Sequence, residues 1–210
     1  LKTVSGAVTS TSDNLGEALD YADRAYRSDA FLELGDQIVL RLFEYNFDLN
    51  NDSAAVRWCE EGARRFPKAV QFYVCQIELM GWSTLRQPDP ARARSLASGA
   101  LKLPLGGAPS SIERRLDMLV GVVYSRAGQR DSARATLKRG LAISPHSLGI
   151  VIPAANMLAL LDEKDKGVEL LVTHAAEHSA DRKAMLRNRG LSALRREPRV
   201  MQALKPPPRH

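Results

Sequence analysis

The residues best spaced for chemistry lie late in the chain, at His174-Ala175-Ala176-Glu177-His178. Histidines at i and i+4 share one face of a helix, so both imidazoles could bind one metal ion, with Glu177 beside them as a base. A zinc site also needs a third protein ligand. No other catalytic set is defensible from spacing. Gly-x-Ser-x-Gly is absent, and Gly106-Gly107 is followed by no Gly-Lys-Ser/Thr, so it is not a phosphate loop. Cys59 and Cys75 are the only cysteines, and they form no C-x-x-C. Each falls in a helical pattern among apolar neighbours. Two buried free thiols are the expected state, with a bridge left open if the protein is exported. Acid pairs such as Glu60-Glu61 and Asp162/Asp165 suit exposed helix or turn positions, where they are solvated or ion-paired.

The order H-x-x-E-H resembles the inverted zinc-hydrolase motif. In that family the third ligand is an acidic residue far downstream. After His178 only Asp181 and Glu197 are acidic. Both histidines also fall in the second half of a helix, where cations suit the C-terminal end. The expectation is therefore no enzyme, no resident metal and no cofactor, with a zinc hydrolase kept as an alternative.

The elements that would position these groups are helices throughout. The 210 residues carry 30 Lys and Arg against 24 Asp and Glu, a net charge of +6. The Arg residues are scattered along helical patterns, and no nucleic-acid module accompanies them, so no nucleic acid is expected. No apolar run reaches the ~18 residues of a membrane span. The chain is expected to be soluble, cytoplasmic or periplasmic. Leu1 in place of Met is expected of a processed product or a piece of a longer protein.

The organising stretch runs from Arg114 to Ser147. Two amphipathic patterns flank Ala127-Gly128-Gln129-Arg130-Asp131. Val120, Gly121 and Tyr124 mark the first. Ala133, Leu137, Gly140 and Leu141 recur on one face of the second, and Pro145 stops it. The stretch resembles the tetratricopeptide (TPR) helix–turn–helix repeat. Val120-Gly121, Tyr124, Gly128, Ala133 and Pro145 stand at the spacings of that family's Leu-Gly, aromatic, turn Gly, Ala and Pro. Asp117 stands where the family often has Trp, and Gly140 where it usually has Ala. The resemblance implies an all-α, right-handed α-solenoid of paired antiparallel helices, whose small residues let helix axes approach closely.

Periodicity places further helices at 16–28, 31–47, from a cap at Asp52 or Ser53 to Phe66, 70–84, 91–102, from Ile112 onward behind a cap at Ser110 or Ser111, 148–161, 166–178 and 182–195. Pro67 stops the one that ends at Phe66. Pro153 is expected to delay or kink the helix at 148–161. Asp89-Pro90 reads as a cap followed by a first-turn Pro. The domain organisation read from this is a flexible segment at 1–15, one repeat domain at 16–204 with a continuous core, and a Pro-rich tail at 205–210.

In TPR proteins the first helix of each pair lines a concave groove. Carried onto this chain, the groove positions are Arg41 and Tyr45, then Glu78 and Trp82, then Arg115, Met118, Val122 and Arg126, then Ile152 and Asn156. An apolar strip flanked by Arg would suit a peptide or protein segment of acidic character. The expected function is a non-catalytic scaffold or adaptor for protein–protein interaction. The alternatives are a region of a larger bacterial-type regulatory or assembly protein, and a structural subunit of a complex.

Overall fold

A computed structural model describes residues 15–28, 35–104, 109–144 and 146–205. Among them every regular element is helical, as the periodicities require. The segments expected at 1–15 and 205–210 lie outside the described residues, apart from Leu15 and Lys205. The chain divides into two compact units, Leu1–Pro67 and Lys68–His210.

The first unit holds α1 (Leu15–Ser28), α2 (Gly35–Asp48) and α3 (Asp52–Arg65). Val39, Leu42, Phe43, Asn46 and Phe47 are buried positions of α2. Their i, i+3, i+4, i+7, i+8 spacing makes one broad stripe, and α2 packs on both α1 and α3. Ala55, Trp58, Cys59 and Gly62 face inward from α3, and the Tyr26 ring meets Trp58 edge-on with centroids 4.9 Å apart. The α2–α3 turn places Asn50 in the left-handed region (φ 60°), which Asn tolerates better than most residues. Asn51, not Asp52 or Ser53, occupies the N-cap of α3, and no side chain caps it.

The second unit holds α4 (Gln71–Trp82), α5 (Pro90–Leu101), α6 (Pro109–Arg126), α7 (Arg130–Ile143), α8 (Leu148–Leu160), α9 (Lys164–Glu177), α10 (Arg182–Arg187) and α11 (Pro198–Leu204). Helix α6 is its axis, packed against α4, α5, α7 and α8. The close approach expected of Gly121 is present: a Cβ there would lie 2.8 Å from Met157 Cε and from Thr136 Cγ2. Ala133 is fully buried. Gly128 turns the chain between α6 and α7 at φ 73°, where a Cβ would be strained. Asp89 caps α5 as expected, its Oδ1 accepting from the Arg92 amide at 2.9 Å, with Pro90 in the first turn.

Three boundaries differ from expectation. Helix α6 begins at Pro109, so Ser110 and Ser111 lie inside it; Pro suits a first helical position because its missing N–H would be unpaired there anyway. Helix α8 starts at Leu148 without delay and runs through a buried Pro153. The helix expected at 182–195 stops at Arg187. Asn188 is extended there (φ −63°, ψ 120°), and its side chain accepts from the Gly190 amide. That local bond offers the backbone an alternative to the helical ladder. Two 3-10 turns follow, at Arg189–Leu191 and Leu194–Arg196.

Candidate functional site

The positions expected to line a groove have divided fates. Arg41 and Tyr45 belong to α2 in the first unit, where Arg41 is exposed and pairs with Glu44 at 2.6 Å. In the second unit Met118, Val122 and Ile152 are buried core residues, packed between α6, α7, α8 and α9. Large apolar residues at helical spacing fill the interior here because α6 and α8 are covered on most of their circumference. Glu78 accepts from Arg115 at 3.0 Å.

Arg126 is a structural clamp. Its guanidinium donates to the carbonyls of Met80 and Ser83 at 2.8 and 2.9 Å, at the C-terminal end of α4, where carbonyls lack helical partners and a cation is favoured. Arg130, across the α6–α7 turn, does the same for α8. It donates to the Leu161 carbonyl at 2.7 Å and to Asp162 at 3.0 Å.

Trp82 and Asn156 meet the chain's own Asn188–Leu191 segment. Asn156 Nδ2 donates to the Gly190 carbonyl at 3.0 Å, and Arg189 donates to the Trp82 carbonyl at 3.2 Å. A Cβ on Gly190 would lie 3.1 Å from the Trp82 indole, so the backbone rests closely on that ring. Sequence reasoning missed this segment, because helical periodicity at 182–195 carries no sign of a contact with residue 82.

A second surface is open. A cleft of about 650 Å³ lies between α5, α6 and α7. Leu116, Val120, Tyr124 and Gly140 line it, together with Leu101 and Ile143. These last two are 39% and 62% exposed. Arg94, Arg114, Glu113, Asp117 and Arg139 supply its charge. Arg139 donates to both carboxylate oxygens of Asp117 at 3.1 Å. The signal in the sequence was that Leu101 and Ile143 fall off the inward faces of their helices: one residue past Ala100, and two past Leu141.

The H-x-x-E-H residues sit at the end of α9. His174 is buried, with its Nε2 2.9 Å from Asp181 Oδ2. Glu177 and His178 turn instead toward His146, in the connection between α7 and α8, whose Nδ1 is 3.6 Å from Glu177 Oε2. Cys59 and Cys75 are both fully buried. The expectation of free thiols is corrected: both are disulfide-bonded. Glu61 and Glu163 have carboxyls held below the ordinary range. The hydrogen bond from Arg64 is the main cause for Glu61, and bonds from Lys166 and then Arg134 for Glu163. Neither lines the cleft or joins the histidines.

The arrangement defines an all-helical protein with an open cleft and a histidine cluster. No protein-family model matches the chain, and no curated protein or solved structure is similar to it at a significant level. No described helix is long and apolar enough to cross a membrane.

Proposed function

We propose that the chain is a non-catalytic interaction scaffold of the TPR kind, a right-handed stack of paired antiparallel helices that holds a segment of another protein. The observation that supports this is the α5–α6–α7 cleft. It combines two exposed aliphatic side chains at its rim with Arg94 and Arg114, which have no carboxylate partner among the described residues. Apolar anchors flanked by guanidinium groups suit a short amphipathic segment bearing carboxylates. The oxidised state of both cysteines favours an oxidising compartment such as the periplasm.

Capture of a partner from native extract tests the reading. The double variant Arg94→Glu/Arg114→Glu, exposed or half-buried at both positions, is expected to abolish capture while leaving the thermal melt unchanged. Undiminished capture would remove the cleft. A second reading places the partner on the strip along Trp82, Arg115 and Asn156, in exchange for residues 188–191; it is favoured by the backbone bonds that this strip already makes. Loss of capture on Arg115→Glu alone would select it.

A further inference from the structure

Three of the chain's four histidines gather at one place, where the C-terminal end of α9 meets the α7–α8 connection. His146, Glu177 and His178 each offer one ligand atom, and those atoms all lie within 4.8 Å of one another. We infer that this trio is a binding site for a divalent transition-metal ion of the zinc class, with a fourth position left to solvent.

The donor set is two imidazole nitrogens and one carboxylate oxygen, the borderline ligands that such ions select. Around a tetrahedral zinc ion the ligand atoms stand about 3.3 Å apart, given bonds of ~2.0–2.1 Å. His146 Nδ1 and Glu177 Oε2 are already 3.6 Å apart. Both side chains are mostly exposed, at 66% and 52%, so small rotations close the remaining gap. Helix α9 ends at Glu177, with His178 at its C-cap, so its dipole favours a cation there.

A second observation is independent of the spacing. His178 Nε2 is buried and has no hydrogen-bond partner among the described residues. A buried polar atom without one calls for an explanation, and an ion is among the ordinary ones. His174 backs the site without joining the trio. Its ring lies 4.6 Å from that of His178, centroid to centroid, and its Nε2 is committed to Asp181 at 2.9 Å. The H-x-x-E-H spacing thus contributes its last two residues, and the third ligand comes from upstream.

The test is calorimetric titration of the chelator-treated full chain with zinc chloride. One equivalent is expected to bind saturably, and His178→Ala to abolish that binding. His146→Ala and Glu177→Gln, at exposed positions where folding is safe, should each weaken it by at least about tenfold, the low end of what even an outer partner's loss costs a metal site. Cobalt(II) in place of zinc should give the visible d–d bands of a tetrahedral site, and these should be lost in the same variants. Absence of saturable binding would overturn the site. So would wild-type affinity in both His146→Ala and Glu177→Gln, since binding would then be scattered over surface groups.

Discussion

Helix α6 has two long sides with similar residue types and opposite fates. Along one, Met118, Val122 and Arg126 are spent on the chain itself: two in the core, the third on the end of α4. Along the other, Glu113, Asp117, Val120 and Tyr124 floor an open cleft. What differs is what stands opposite: Met118 and Val122 pack into one core with residues of α7 and α8, whereas the cleft lies open between α5, α6 and α7 on the other side.

The contrast is broken most directly by truncating one residue on each side. Met118 is fully buried. Met118→Ala is expected to lower the free energy of unfolding by about 2–5 kcal/mol, the range for large-to-small changes in a packed core. Ile143→Ala, on the open side, should change it by no more than about 0.5 kcal/mol. Equal costs in urea denaturation would mean that the cleft is filled in solution.

The next effect separates two arginines. Arg126→Met keeps an aliphatic stem but leaves the Met80 and Ser83 carbonyls without their charged donor, at an expected cost of about 1.5–3 kcal/mol. Arg114→Met should be close to neutral in the same assay, because its guanidinium has no partner among the described residues. If both variants are neutral, the clamp at the end of α4 contributes nothing and the two sides are alike.

Much of the helical framework was legible. The cap at Asp89, the stop at Pro67, the turn at Gly128 and the contact made by Gly121 follow from local chemistry, which adjacent residues encode. What failed to show depends on neighbours far along the chain. Met118 and Arg126 satisfy the same periodicity whether they face a core, a helix end or a groove, because spacing gives direction and not what stands opposite. His146 lies 28 positions before His174, in a connection rather than on the helix that ends beside His178, so no single-helix motif could include it. The seat of the Gly190 backbone on an indole 108 residues away leaves no mark on the spacing of residues 182–195. The cysteines failed for a related reason, since two thiols in apolar patterns look alike whether free or bonded.

The smallest effect concerns the rim of the filled side. Glu163, in the α8–α9 turn, accepts from Lys166 at 2.8 Å and pairs with Arg134 of α7 at 2.5 Å. These cations hold its carboxyl below the ordinary glutamate value of 4.5. The unfolded chain therefore takes up a proton at this group before the folded one does as pH falls. The stabilisation is complete above 4.5 and fades as pH drops through the lower folded value. Glu163→Gln should accordingly flatten the fall in melting temperature on acidification below that pH. At neutral pH it should lower the melting temperature only slightly, as exposed ion pairs are screened by solvent. Added salt should shrink the difference further. An unchanged acid profile in Glu163→Gln would show that the pairs made by Glu163 add nothing to the hold on α7 at this rim, which would then rest on packing and on the bonds of Arg130 to Leu161 and Asp162.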